Sequence, residues 1–156
     1  MTIFVTSDTH FGHANIIKYC NRPFAHVHDM NEALVENWNA VVGPDDEVWH
    51  LGDFAWNSAA GTLERLNGTK FLITGNHDPS KTRKLQGWRA VHTGLFQYSS
   101  QILMQHYPAQ TPAGVLLLHG HSHNPPALRR RNNMIDVGVD AWGYKPTPLD
   151  EVLQNG

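Results

Sequence analysis

Short apolar runs that give way at once to polar residues recur along the chain, and they set the expected elements. Ile3-Phe4-Val5 leads into Ser7-Asp8-Thr9-His10, Val48-Trp49-His50-Leu51 into Gly52-Asp53, and Phe71-Leu72-Ile73 into Gly75-Asn76-His77-Asp78. Further on, Ile102-Leu103-Met104 leads into His106, and the apolar block at 115–118 into His119-Gly120-His121-Ser122-His123. Runs of this length bounded by glycine or proline predict buried strands. Two longer stretches carry a helical stripe. One has Met30, Ala33, Leu34, Trp38, Val41 and Val42 in register, with Asp29 placed to cap its start and Gly43-Pro44 to stop it. The other, residues 58–66, puts Ala59, Leu63 and Leu66 on one face. A shorter helix is expected over 15–20, a strand-rich region over 91–118, a turn at 129–133, and a last strand through Ile135, Val137 and Val139. The order predicts an α/β fold, a two-layer mixed β-sandwich flanked by helices (αββα).

Composition narrows the class. The 156 residues, 40% hydrophobic and 17% charged, fit one globular domain over 1–156. A net charge of −2 gives no broad basic field for duplex nucleic acid or an anionic membrane. The first residues, Met-Thr-Ile-Phe-Val, carry no basic leader, and no run is long enough to span a bilayer; the expected location is cytoplasmic. Cys20 is the single cysteine, so no internal disulfide and no thiolate zinc cluster can form. Against this background, 11 histidines, clustered rather than scattered, are the anomaly.

Loops at the carboxyl ends of strands in open α/β sheets are where ligands bind. Five such loops here carry carboxylate, amide or imidazole groups: Asp8, His10, Asp53, Asn76, His106, His121 and His123. These are oxygen and imidazole donors, suited to manganese, iron, zinc or magnesium rather than monovalent copper. In an extended stretch, Asp8-x-His10 and His121-x-His123 each set two donors on one side of the backbone. Seven ligands exceed one ion and fit two that share a carboxylate, with positions left for water and substrate.

In this order the motifs Asp8-x-His10, Gly52-Asp53, Gly75-Asn76-His77-Asp78, His106 and Gly120-His121-x-His123 resemble the signature of the calcineurin-like metallophosphoesterase superfamily, over residues 8–123. The tail from Ile135 onward is similar to the closing segment of its small bacterial and phage members. The resemblance implies that Asp8, His10 and His123 hold one ion, Asn76, His106 and His121 a second, and that Asp53 bridges them. Manganese comes first among the metals it implies, with iron, zinc, nickel or magnesium open. It further implies a phosphoesterase, foremost a phosphodiesterase, in which a bridging hydroxide attacks phosphorus in line and His77 assists the leaving group. Asp78 is expected to orient the His77 ring. Gly52 and Gly75 allow sharp turns and leave room for ions. Two divalent ions outweigh the charges of Asp8 and Asp53, so the centre suits a phosphate ester anion.

Other readings compete. A protein serine/threonine phosphatase would carry a different sequence after Asp53 than Phe54-Ala55-Trp56. A nuclease of the same superfamily stays open, as does a metal-binding interaction scaffold without catalysis; the complete ligand set and His77 rank the scaffold lower. The expected substrate is a small phosphoester or nucleotide. His13 can touch substrate phosphate or a metal-bound water, or else cap a helix. His119, Asp136 and Asp140 can support ligands by hydrogen bonds, His50 belongs to strand packing, and His26, His28 and His92 are expected at the surface. Arg129, Arg130 and Arg131 read as a solvated turn, and aromatics such as Trp56 and Tyr107 as core unless a nucleobase stacks on them. Cys20 reads as a packed thiol.

Overall fold

The apolar runs form strands, and each strand divides its side chains between two cores. The computed structural model describes residues 1–56 and 59–156. Its first half runs β1 (Ile3–Thr6), α1 (Ala14–Tyr19), α2 (Val27–Val41), β2 (Glu47–His50), α3 (Ala59–Arg65), β3 (Thr69–Ile73), α4 (Ser80–Arg83) and β4 (Trp88–His92). The second half runs β5 (Phe96–Gln97), β6 (Ile102–Met104), β7 (Leu116–His119), β8 (Arg130–Arg131), β9 (Met134–Asp136), β10 (Thr147–Pro148) and α5 (Leu149–Asn155).

The strands build two mixed sheets. The first has the order β10-β1-β2-β3-β4, with β1 to β4 parallel and β10 antiparallel on β1. The second has the order β5-β6-β7-β9-β8, with β6, β7 and β9 parallel between antiparallel edges. Phe4 and Val48 turn to the helices, where they meet Ile16, Met30, Leu34, Trp38 and Leu63. Their neighbours Val5 and Trp49 turn the other way, into a core shared with Met104, Leu118, Ile135 and, from α5, Leu149 and Val152. Burial on both faces is why these strands read as continuous apolar runs rather than as alternation. The expected sandwich of mixed sheets flanked by helices is the fold that forms.

Local departures have local causes. The long helix starts at Val27, three residues before the expected stripe, and its N-cap His26 makes no side-chain capping bond. Asp29 lies inside the first turn, where its charge faces the positive end of the helix dipole instead of capping it. Residue 58, the expected start of the next helix, lies outside the described residues. The basic run is not all turn: Arg130 and Arg131 pair with β9, and the reversal falls at Asn132, whose φ is 54°. The strand expected through Val139 is β9, which ends at Asp136 and is followed by β10, and Val139 starts a 3-10 turn that joins the helix-side core. There the chain crosses from one sheet to the other, marked by a bridge between Ser7 and Gly138. No helix among the described residues is long and apolar enough to cross a membrane.

Candidate metal centre

The five polar loops all leave the carboxyl ends of parallel strands, β1, β2 and β3 in one sheet and β6 and β7 in the other. They are laced together. Asp8 donates its backbone N–H to the Gly52 carbonyl and His10 donates its own to Asp53, so the first two loops run side by side. Across the sandwich, the His121 N–H donates to Asp8 Oδ2 at 2.9 Å and His106 Nδ1 lies 2.7 Å from the Leu51 carbonyl. Gly52 and Gly75 serve this closeness more directly than expected. A Cβ on Gly52 would stand 2.5 Å from the Gly75 nitrogen and 2.6 Å from His106 Nδ1, and one on Gly75 would meet the Asp53 carboxylate. The room they leave is taken by the neighbouring loops.

The ligand loops are not extended. Asp8, His10, Asp53, His121 and His123 have φ of 57°, 51°, 56°, 70° and 50°, all left-handed. Such a conformation is uncommon for residues with a Cβ, and where held it marks functional sites. Asp8 and His10 therefore converge through left-handed turns, not through strand geometry.

Arg22 holds the first loop in this shape. Its side chain is fully buried and donates to the carbonyls of Asp8 at 2.6 Å and Thr9 at 2.9 Å. Its charge pairs with Asp140 through Nε at 2.9 Å and Nη2 at 3.0 Å. Asp140 in turn lies 2.8 Å from His123 Nδ1. Since a carboxylate only accepts, Nδ1 carries a proton, and Nε2 faces Asp8 Oδ1, 3.8 Å away. Arg22 gives no sign in the sequence of lying at a site. The one hint is its partner, an aspartate set in the otherwise apolar Val139-Asp140-Ala141-Trp142.

Five of the seven expected donors, Asp8, His10, Asp53, His106 and His123, converge on two adjacent points, and His121 falls in neither. One atom each from Asp8, His10 and His123 lies within 4.8 Å of the others, and the same holds for Asp8, Asp53 and His106. Asp53 Oδ2 stands 3.5 Å from His10 Nε2 and 3.5 Å from His106 Nε2, between the two groups. Its Oδ1 accepts the His77 N–H at 2.8 Å. His106 Nδ1 donates its N–H to the Leu51 carbonyl, and Nε2 lies 2.9 Å from Asn76 Oδ1. His121 stacks edge-on to His106 with ring centres 5.2 Å apart. Asp8 Oδ1 and His10 Nε2 are buried with no hydrogen-bond partner. Lone pairs gathered in this way ask for cations, and the donor set fits a divalent pair.

The titration behaviour agrees. Burial pushes the Asp8 carboxyl up, yet the neighbouring imidazoles of His10, His123 and His106 hold it well below the usual range. Burial pulls His123 down, but Asp140, Cys20 and Asp8 outweigh it and raise the imidazole to about 10. His106 is raised by Asp53 and Asp8 against the same opposing burial. The negative charge that raises these imidazoles is what a cation would neutralise. A further trio, Cys20, His123 and Asp140, also falls within ligating distance, but the Arg22 guanidinium already supplies the positive charge on Asp140.

The remaining candidates sort by contact. The Asp78 carboxylate accepts the N–H groups of Asp53, Phe54 and Gly75 at 2.8, 2.9 and 2.7 Å. It staples two loops. Burial raises its pKa against those three bonds. His77 itself is exposed, its ring 5.8 Å from that of His10. His13 lies at the site, its Nδ1 3.2 Å from His10 Nδ1. Asp136 accepts from Gly138 and, twice, from Asn124, bracing the turn after His123. His119 lines a separate groove of about 350 Å³ with Arg131. His50 is buried in the strand layer, 3.0 Å from Thr9 Oγ1, and burial lowers it to about 3. His92 is half-buried against Trp49 and Phe96 rather than free at the surface. Arg129 lies 3.8 Å over the Trp142 ring and donates to the Asn155 carbonyl. Above the donors opens a cleft of about 670 Å³.

Known proteins resemble this chain in sequence and in overall fold. A chain from Methanocaldococcus jannaschii, MJ1445, is 36% identical over 97% of this chain and 89% of its own length. The gene 66 protein of Mycobacterium phage L5 is 30% identical over 88% of this chain and 86% of its own length. In three dimensions the chain is similar to AQ665 of Aquifex aeolicus, with a TM-score of 0.77, 28% identity and 98% of each chain covered. The sequence profile of the calcineurin-like phosphoesterase superfamily domain matches residues 1–139, a span that includes every one of the converging donors, and the chain belongs to that superfamily.

Proposed function

We propose that residues 1–156 form one dinuclear-metal-dependent phosphoesterase domain acting on phosphodiesters. The observation that supports this most is the position of Asp53 Oδ2, 3.5 Å from both His10 Nε2 and His106 Nε2. One carboxylate oxygen between two imidazole lone pairs suits a bridge. In this reading Asp8, His10 and His123 hold one ion, and Asn76, His106 and His121 the other. Manganese is the first candidate, with iron, zinc, nickel or magnesium compatible with the same donors. When bound, the pair activates water and neutralises charge on the phosphoryl oxygens.

The chain's own residues do the rest. Asn76 contributes an oxygen without charge, which keeps the centre attractive to a phosphate ester anion. Asp140 and Leu51 fix the His123 and His106 tautomers so that Nε2 is the ligand atom in each. His77 stands at the mouth of the cleft with its backbone anchored on Asp53, and it gives a proton or hydrogen bond to the departing oxygen. Asp78 keeps that loop in register through the three amides it binds.

The test is a panel of mono- and diesters, cyclic and linear, run with manganese, nickel, zinc and magnesium in turn, beside metal analysis of the same samples. The expected result is two ions per chain and turnover of diesters such as bis-p-nitrophenyl phosphate. Changing His77→Ala should keep both ions and slow turnover by about 100-fold or more. Two bound ions with no turnover of any ester would leave a metal-binding scaffold and end the hydrolase reading.

A further inference from the structure

We propose that one wall of the cleft, built around Trp56 and Tyr19, is a stacking site for a nucleobase, so that the substrate is a phosphodiester whose departing group is a nucleoside. This rests on the phosphoesterase reading and names the substrate class within it.

The size of the cleft is the first argument. At about 670 Å³ it matches pockets that enclose a whole organic ligand, far more than a phosphoryl group requires. Its lining is divided. One side carries the metal donors, and the other carries Asn15, Ile16, Tyr19 and Trp56.

The aromatic residues on that second side are placed for use. Trp56 is 50% exposed and Tyr19 74% exposed, although most large apolar side chains of this protein are buried. Trp56 is not a loose surface ring. Its backbone N–H donates to the Phe11 carbonyl at 2.7 Å, and its indole lies flat on His13, with centres 4.7 Å apart at 16°. His13 is in turn held at His10 and meets the edge of Tyr19. A rigid, half-open indole costs little entropy when a flat ring settles on it, which is how proteins hold bases without reading them. Asn15 adds an amide, both donor and acceptor, for the edge of such a ring.

Direction follows from His77. Its ring lies 5.7 Å from Trp56 and 5.8 Å from His10, between the aromatic wall and the metal donors. A group leaving toward His77 therefore leaves toward Trp56. Charge then excludes the main rival. No lysine or arginine lines the cleft among the described residues, so nothing there would neutralise the further phosphates of a polyphosphate leaving group. A neutral, flat and hydrogen-bonding group is what the wall suits, and a nucleoside is all three.

The experiment is calorimetric binding of adenosine 5′-monophosphate and of ribose 5-phosphate to the manganese-loaded protein. Both carry the same phosphate and sugar, so their ratio isolates the base. The wild type should prefer the nucleotide by about tenfold or more. Trp56→Ala should collapse the ratio toward one, and Trp56→Phe, which keeps a flat ring, should restore most of it. Equal affinities in the wild type, no binding of either ligand, or an undiminished preference in Trp56→Ala would each overturn the proposal. Failure of hydrolysis is a different signature: no ester in the panel would turn over although the nucleotide preference and its loss in Trp56→Ala persisted, an outcome that keeps the stacking wall.

Discussion

Replacing Arg22 by methionine should destabilise the protein by several kcal/mol without changing a single metal donor. Methionine has about the length and apolar volume to fill the site, so the loss is electrical. Arg22 has no exposed side-chain surface; it makes two bonds to Asp140 and one each to the carbonyls of Asp8 and Thr9. Removing Arg22 leaves Asp140 with the His123 imidazole alone to balance it, and breaking a buried pair costs about 3–5 kcal/mol. That is a large share of the roughly 5–15 kcal/mol that holds a domain folded. Adding Asp140→Asn removes the carboxylate charge, so the double variant should be more stable than Arg22→Met alone. Guanidinium unfolding of the chelated, metal-free proteins measures all four corners of the cycle without interference from ion binding. A loss under about 1 kcal/mol for Arg22→Met, or a double variant no better than the single, would refute the reasoning. Because Asp140 orients His123, Asp140→Asn should also weaken metal binding by roughly 10–100-fold.

Other expectations are as direct. Asp53→Asn should empty both ion positions together, since Oδ2 faces donors of each; asparagine tolerates the left-handed φ of 56°, so the fold should survive. Loss of only one ion by metal analysis would remove Asp53 from the bridge. His50, held to about 3 by burial against an ordinary 6.5, stays neutral in the folded chain while the unfolded chain takes up a proton. Stability should therefore fall by about 1.4 kcal/mol per pH unit on its account as pH drops from about 6.5 toward 3, with no contribution above that window. His50→Gln should lack this component; equal pH slopes for variant and wild type in denaturant titrations would show that His50 is charged in the fold.

Legibility in the sequence followed the physics of each element. The parallel strands were readable because burial on both faces writes an unbroken apolar run, and each run stops where its loop turns to the metal centre. The candidate donors stood out because chemistry restricts metal ligands to a few residue types, here in a fixed order. The start of the helix at Val27 was not, since His26 caps with its backbone alone and leaves no side-chain signature. Arg22 was illegible for a different reason: its meaning depends on an aspartate 118 positions away. What Asp78 binds was not legible either, since its oxygens accept from amides of two loops. The alternation at 135–139 broke at Val139 because the chain there changes sheets, which no local pattern announces.

The left-handed backbone at Asp8, His10, Asp53, His121 and His123 sets stability against function at the same five positions. Glycine at any of them would relax the main chain, and a screen for thermal tolerance in the absence of metal should enrich such replacements. Each would forfeit a donor. Selection for hardiness alone would thus erode these positions first.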